Sequence, residues 1–208
     1  MKFQKYMVVG ILGLTMALGF SGCQSENQKN QDAYRKIGIN SMAEGDYDKA
    51  VKSFQKALDT SLGKIGAEEI DICYYKAAAQ FAKKDYDGAI ETYTSLIDYD
   101  KENANAYYLR GSVYLDTDKK DKAFKDYKNA VKYAGREYEI YEGIYENLTN
   151  KGETEEAKNY LKKALDIKPK DGADYAEQGH VYYLLEDYRQ RAVWIGQLIR
   201  MIRQHCCI

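Results

Sequence analysis

Few side chains in this chain have the types and spacing that enzymatic chemistry or metal binding needs. The 208 residues include two histidines and four cysteines. His205 lies beside Cys206 and Cys207, but a structural zinc site needs four ligands and the sequence places no further ligand nearby. A functional thiol pair at Cys206-Cys207 is the alternative to two unreactive cysteines. His180 lies on a predicted helix with no serine, cysteine or carboxylate at a nucleophile–base spacing.

The sequence patterns of common active sites do not occur either. There is no glycine-rich phosphate loop, HExxH motif or GxSxG motif. The adjacent acids Glu155 and Glu156 lie at a predicted helix start, where the helix dipole favours negative charge, and are interpreted as solvated end charges. We therefore predict no enzymatic activity, cofactor, metal or small-molecule substrate. A site assembled from residues distant in sequence is the alternative.

One segment recurs along the chain and organises it. GDYDKAVKSFQKAL at 45–58 returns as KDYDGAIETYTSLI at 84–97, DKKDKAFKDYKNAV at 118–131 and GETEEAKNYLKKAL at 152–165, and a fifth copy begins near residue 186. The alanines at the matching position lie 39, 34 and 34 residues apart. They are Ala50, Ala89, Ala123 and Ala157. A fixed period of this size predicts a repeat architecture.

Each copy is predicted to form an amphipathic helix. Ala50, Phe54 and Ala57 lie at i, i+4 and i+7, on one face of a helix. Asp46, and Asp85 in the second copy, precede the helix at a position where an aspartate side chain caps free N–H groups. The small alanine allows a neighbouring backbone to come close, and the larger residue four positions later fills the space beyond it.

A further helix is predicted before each copy. An aromatic residue marks it in four copies: Tyr34, Tyr107, Tyr141 and Tyr175. Cys73 holds that position in the second copy and is predicted to be a small buried hydrophobe. Glycine costs about 1 kcal/mol relative to alanine inside a helix, so Gly38, Gly111 and Gly179 at one register predict a helix crossing too tight for a side chain. Tyr145 occupies that register in the fourth copy, so we expect this pair to be spaced differently.

These positions resemble the tetratricopeptide repeat (TPR) family. The shared pattern is an aromatic residue, a hydrophobic–small pair, a second aromatic such as Tyr114 or Tyr182, then alanine, aromatic, alanine, and a closing proline at Pro169. The first copy departs from it, with Ser41 at the second aromatic position. The resemblance covers residues 32–188 and implies an all-α, right-handed solenoid of about five antiparallel helix pairs. Fold alone does not fix function.

Residues 1–22 are predicted to be a signal peptide. Lys2 and Lys5 give a positive start, and Met7–Phe20 form an apolar run of 14 residues, shorter than the roughly 20 that a membrane-spanning helix needs.

The segment Phe-Ser-Gly-Cys that ends at Cys23 resembles a bacterial lipoprotein processing box, with Phe20 at the usual leucine position. The resemblance implies a lipidated (palmitate-bearing) Cys23 as the mature first residue. Residues 23–31 then form the lipidated cysteine and a polar tether. A plain signal peptide and an uncleaved anchor are the alternatives.

Two stretches depart from the repeat. Extra residues in the stretch 60–70 form either a longer loop that the solenoid tolerates or a loop that borders a binding groove. Residues 189–208 contain no lysine, tyrosine, aspartate or glutamate, and Arg191 stands where the repeat expects alanine. This segment is predicted to be an atypical C-terminal helix or tail. A changed reading frame and a divergent final helix are the two hypotheses for it.

In TPR proteins the first helix of each pair lines the concave surface that binds ligands. Carried onto this chain, the resemblance implies a groove lined by Arg35, Ile39, Met42, Tyr74, Phe81, Asn105, Tyr108, Leu115, Glu139, Glu142, Glu146, His180 and Tyr183. Glu139, Glu142 and Glu146 form one stripe at i, i+3 and i+7. The stripe either attracts a lysine- or arginine-bearing segment or is a solvated face, since repulsion at this spacing costs only a few tenths of a kcal/mol per pair.

The two resemblances together predict a lipid-anchored scaffold for protein–protein or protein–peptide interaction on the extracytoplasmic face of a bacterial cell membrane. The expected partner is a protein or peptide, with a basic segment for the acidic stripe, and the membrane is contacted through the N-terminal lipid. The alternative is a structural or assembly subunit of a cell-envelope complex for pili, secretion or outer-membrane assembly. No nucleic acid is expected, because the repeats are net acidic and predicted to lie outside the cytoplasm.

Overall fold

The structure, a computed structural model, describes residues 26–61 and 63–186. Within these ranges the chain forms nine α-helices: α1 Glu26–Glu44, α2 Tyr47–Asp59, α3 Ala67–Ala82, α4 Tyr86–Tyr99, α5 Ala104–Asp116, α6 Lys120–Tyr133, α7 Tyr138–Asn150, α8 Thr154–Lys163 and α9 Gly172–Leu184. A short 3₁₀ turn, Ala164–Asp166, follows α8. The predicted all-α solenoid of helix pairs is confirmed. The predictions for the signal segment, Cys23 and the tail lie outside the described residues. The predicted tether, residues 23–31, overlaps α1, because the chain is helical from Glu26 and Gln31 is buried in that helix.

The helices form two layers. Each helix from α1 to α7 packs on the next one in sequence, and α9 packs on the 3₁₀ turn that follows α8. The first helices of neighbouring pairs also touch, α1 on α3 and α5 on α7. Among the described elements no two second helices approach as closely. We call the surface of α1, α3, α5, α7 and α9 the inner face, and the layer of α2, α4, α6 and α8 the outer layer.

The core repeats with the sequence. The alanines at positions 50, 89, 123 and 157 are 0% exposed, and so are the large side chains four residues after each of them: Phe54, Tyr93, Tyr127 and Leu161. Around them the buried side chains form three clusters along the stack. Cys73 is half-buried against the second cluster, and burial raises the pKa of its thiol.

The glycine register marks tight crossings, as predicted. A Cβ atom at Gly38 would lie 2.5 Å from the Phe54 ring, and one at Gly111 would lie 2.9 Å from the Tyr127 ring. In the fourth pair, Tyr145 is half-buried and its hydroxyl donates to the Leu184 carbonyl oxygen at 3.3 Å. The side chain at this register therefore contacts α9 of the next pair.

The turn between the two helices of each pair has one recurring backbone conformation. One or two residues after the end of the first helix, a residue has positive φ in all five copies: Gly45 (79°), Lys84 (67°), Asp118 (56°), Gly152 (81°) and Glu186 (58°). In the first copy the following N–H, of Asp46, donates to the Ser41 carbonyl at 2.8 Å, which closes the helix end. Since Glu186 adopts this conformation, the fifth copy is in register up to that residue.

The predicted helix caps are present. The Asp46 carboxylate accepts from the Lys49 N–H at 3.0 Å, and the Asp85 carboxylate accepts from the Gly88 N–H at 3.2 Å. The extra residues between the first two pairs lie between the end of α2 and the start of α3 at Ala67. The prediction that they border a groove stays open.

Candidate functional site

Most of the predicted groove residues lie on the inner face, but Leu115 does not contribute to an open surface. Leu115 is 2% exposed and belongs to the core cluster. Its assignment to the groove was wrong. The family register matches Leu115 to a groove position, but a leucine side chain is more stable when it is buried away from water, and here it packs in the core. Glu139 and Tyr183 are exposed, and Tyr183 retains 54% of its surface.

At the N-terminal end of the inner face, polar side chains join α1 to α3. Arg35 Nε donates to Asp71 Oδ2 at 2.9 Å, and the guanidinium lies 5.3 Å from the centre of the Tyr75 ring. Ile39 and Met42 are half-buried against the first core cluster. Arg35 is therefore engaged in a contact between repeats, and these three residues offer a partner only partial surfaces.

Two carboxyl groups meet beside this contact. Burial, together with a hydrogen bond to Asp32, raises the pKa of Glu68 to about 7. The neighbouring Glu69 behaves in the opposite way: burial alone would raise its pKa, but hydrogen bonds from Gln31 and Gly66 lower it. Both glutamates stand at the start of α3, but Glu68 also meets the Asp32 carboxyl of α1, and two carboxyl groups in contact favour the protonated form of one of them.

The centre of the inner face is aromatic and amide-rich. The Tyr74 hydroxyl donates to Asn103 Oδ1 at 2.6 Å, and its ring lies 6.3 Å from the Tyr93 ring. Phe81 is half-buried and its ring meets the Tyr86 ring edge-on at 5.7 Å. These rings are held by their neighbours, which lowers the entropy cost of binding a partner against them.

Asn105 and Tyr108 connect α5 to the fourth pair. Asn105 Nδ2 donates to Glu137 Oε2 at 2.9 Å. The Tyr108 hydroxyl occupies the space beside Gly143, where a Cβ atom would collide with it. Burial raises the pKa of Tyr108 to about 12. A side chain at residue 143 would displace the Tyr108 ring, so this glycine helps to position an inner-face residue.

A buried polar network lies behind these residues. Asn147 Nδ2 donates to Ser112 Oγ at 2.7 Å and to the Tyr127 hydroxyl at 3.2 Å. Asn147 is 3% exposed. The network ties α5, α6 and α7 together and was not predicted from the sequence. Asn147 itself could have indicated the network, because it is a polar residue at a position where the helix pattern calls for an apolar one.

The acidic stripe is not made of three equivalent carboxylates. Glu142 Oε1 lies 2.8 Å from His180 Nδ1 on α9. Burial raises the pKa of Glu142, and the hydrogen bond to His180 acts in the opposite direction. The His180 ring stacks on the Tyr183 ring at 6.2 Å and 15°. Glu139 is exposed and Glu146 half-buried, so these two carboxylates are the ones left for a partner.

The acid–histidine pair was not predicted from the sequence. Glu142 belongs to the previous repeat, 38 residues earlier, so spacing along the helix of His180 does not reveal it. A comparison of matching positions in neighbouring repeats would have suggested it.

The inner face can form hydrogen bonds, ion pairs and aromatic contacts. Within the described residues, no three His, Cys, Asp or Glu side chains are grouped so that they could hold a metal ion. In that same part of the chain no helix combines the length and apolar character needed to cross a membrane.

Comparison with known families identifies the repeats. A model described as "TPR repeat" matches residues 77–118. A model described as "Tetratricopeptide repeat" matches residues 32–61, 104–136 and 146–171. Together the two models span more than half of the chain. No curated protein matches the chain in sequence.

Solved structures of similar fold agree with this. PilF of Pseudomonas aeruginosa aligns with a TM-score of 0.53 at 16% identity over 85% of this chain and 78% of its own. TTC0263, a thermophilic TPR protein of Thermus thermophilus, gives 0.52 at 16% identity over 82% and 91%. MamA from Desulfovibrio magneticus RS-1, from residue 41 to its end, gives 0.52 at 15% identity over 88% and 98%. Identities this low support the fold alone.

Proposed function

This chain belongs to the tetratricopeptide repeat (TPR) family, and we propose that it is a lipid-anchored scaffold that binds a protein or peptide on the extracytoplasmic face of a bacterial cell membrane. TPR proteins are generally scaffolds without catalytic activity. The observation that carries the proposal is the inner face itself, where aromatic side chains and carboxylates lie along one surface of successive repeats. Such a surface suits an extended polypeptide better than a compact ligand.

The glutamates of α7 support the proposal that the partner carries a basic segment. Glu142 is engaged by His180, which leaves the exposed Glu139 and the half-buried Glu146 to attract lysine or arginine. Both lie on α7, seven residues apart, so they flank Glu142 along one helix face. Binding through these carboxylates weakens with added salt, because exposed charges are screened over about 8 Å at physiological ionic strength.

The aromatic part of the inner face supports contacts with apolar side chains of the same segment. Three half-buried aromatic side chains lie on two successive first helices: Tyr74 and Phe81 on α3, and Tyr108 on α5. Aromatic residues are enriched at the centres of protein interfaces because they bury a large area at low entropy cost. The partner segment is thus expected to carry apolar residues on one side of its basic residues.

Anchoring through Cys23 is proposed from the sequence alone. Cys23 follows a short apolar run and two small residues. The variant Cys23→Ala should accumulate as unprocessed precursor, detected by its larger mass in whole cells. Normal maturation of the variant with unchanged membrane partitioning would refute the lipid anchor.

The experiment that tests the scaffold role is cross-linking in membranes followed by purification of the chain and its partners. A partner that is substoichiometric and released by salt is the expected result. A constant, stoichiometric complex that resists salt supports the alternative, in which the chain is a structural or assembly subunit of an envelope complex. Recovery of no partner in repeated cross-linking would contradict both.

A further inference from the structure

The outer layer carries a recessed surface that the inner-face proposal does not use. An open cavity of about 540 Å³ lies between α6 and α8, lined by Phe124, Lys125, Lys128, Glu153, Glu156 and Tyr160. We call it the outer groove. It lies in the layer opposite the inner face, so a partner there would leave the inner face accessible.

The floor of the outer groove is aromatic and well held. The Tyr160 hydroxyl donates to the Phe124 carbonyl oxygen at 3.4 Å, which links α8 to α6. The Tyr160 ring also meets the buried Tyr127 ring edge-on at 6.1 Å. Phe124 is half-buried and therefore keeps part of its ring accessible. A floor of this kind offers an apolar contact that needs little rearrangement.

One wall of the outer groove is basic. The exposed residues of α6 are five lysines and one aspartate: Lys120, Asp121, Lys122, Lys125, Lys128 and Lys132. The remaining acid of α6, Asp126, is buried and bound by Arg110 at 2.7 Å, so it does not neutralise this surface. Among the described residues, Lys125 and Lys128 form no ion pair or hydrogen bond. Their charges are therefore available to a partner.

The other wall carries two acids, of which one is already neutralised. Glu153 is paired with Lys120 at 2.5 Å. Glu156 is exposed on the α8 side. Lys163 lies 4.6 Å from the centre of the Tyr160 ring and adds positive charge at the floor. With Glu153 neutralised by Lys120, the lining keeps Lys125 and Lys128 against Glu156, which leaves one net positive charge on the α6 side.

We propose that the outer groove is a second docking site, which takes an acidic segment of a partner protein that carries an aromatic or aliphatic side chain. Carboxylates of the segment pair with Lys125 and Lys128, and the apolar side chain rests on Phe124 and Tyr160. A lipid surface fits less well, because flat headgroups would leave the recess unfilled and would place phosphates against Glu156. With both sites occupied, the chain joins two partners of opposite charge.

The test uses the full chain and a fluorescently labelled peptide in which glutamates flank one phenylalanine. We expect saturable binding, seen as an increase in fluorescence anisotropy. The double variant Lys125→Gln/Lys128→Gln should weaken it about tenfold, the effect of losing two partly exposed charge pairs. The matched control Lys49→Gln/Lys52→Gln changes two exposed lysines of α2 in the same outer layer and should leave binding unchanged.

Three results would overturn the proposal. The first is no binding of the peptide to the wild-type chain. The second is equal binding of a peptide with glutamine in place of glutamate, or an equal loss in the α2 control. The third is binding of phosphatidylglycerol vesicles that depends on Lys125 and Lys128 while the peptide does not bind, which would identify a lipid surface as the occupant. None of these outcomes depends on the residues of the inner face.

Discussion

At the scale of single residues, each repeat buries a large side chain at one matching position, but the hydrogen bonding of that side chain differs between repeats. Phe54 has no polar atom there. The Tyr127 hydroxyl receives a hydrogen bond from Asn147 at 3.2 Å. The Tyr93 hydroxyl is buried and finds no hydrogen-bond partner in the described part of the chain. A buried polar group without a partner costs about 1–3 kcal/mol, so the second repeat carries a local penalty that the first and third avoid.

This difference predicts opposite effects for the same substitution. Tyr93→Phe should raise the free energy of unfolding by about 1 kcal/mol, because it removes an unpaired hydroxyl. Tyr127→Phe, the matched control, should lower it by about 1 kcal/mol, because Asn147 loses a partner. Urea denaturation followed by circular dichroism measures both. Destabilisation of similar size by the two substitutions would show that the Tyr93 hydroxyl is not unpaired.

The carboxyl pair at α1 and α3 predicts a dependence of stability on pH. The pKa of Glu68 is raised from 4.5 to about 7 in the folded chain, so the folded state holds this proton more tightly than the unfolded state does. The stabilising contribution is therefore complete at low pH and is lost as pH rises from 4.5 to about 7. In Glu68→Gln this part of the slope should disappear, as measured by urea denaturation across that range.

Glu69 supplies the control for this prediction. Its pKa is lowered by hydrogen bonds, against the effect of burial, so its contribution is present at neutral pH and is lost as pH falls through the lowered pKa. Glu69→Gln should therefore reduce stability at neutral pH and flatten the acid side of the profile. If Glu68→Gln and the wild-type chain show parallel profiles, the raised pKa of Glu68 is wrong.

At the scale of helices, the close crossing of two helices in a pair depends on a missing side chain. Gly38→Ala would place a Cβ atom 2.5 Å from the Phe54 ring. Overpacking of this kind costs about 1–3 kcal/mol, which exceeds the gain of about 1 kcal/mol from replacing glycine in a helix. We expect a net loss of stability in urea denaturation. In the background Phe54→Leu the same change should cost less, and an equal cost in both backgrounds would contradict the crossing.

The helices were predictable from the sequence, whereas contacts between repeats were not. The caps at Asp46 and Asp85 and the crossings at Gly38 and Gly111 follow from spacing within one copy, and the structure confirms them. The pair between Glu142 and His180 joins residues of different copies, and its existence depends on how far one repeat is rotated on the next. Spacing within a helix carries no information on that rotation.

At the scale of the whole molecule, the solenoid presents two layers of different chemistry. The inner face combines aromatic rings with the carboxylates of α7, and the outer layer exposes the lysines of α6. Each repeat contacts only its neighbours, so such surfaces extend along the stack without a central active site. This arrangement supports the proposed role as a scaffold. The central part of that proposal is that the inner face binds a protein segment with basic residues.

The measurement that tests this claim most directly is the affinity of the double variant Glu139→Gln/Glu146→Gln for the partner recovered by membrane cross-linking. Glu142 is left intact, which preserves its contact with His180. We expect binding weaker by about 0.4–2 kcal/mol, twice the contribution of a single surface charge pair, and a reduced dependence on salt. The matched control Asp87→Asn/Glu91→Gln changes two exposed acids of α4 in the outer layer and should behave as wild type. Unchanged affinity and unchanged salt dependence in the α7 variant would contradict the claim.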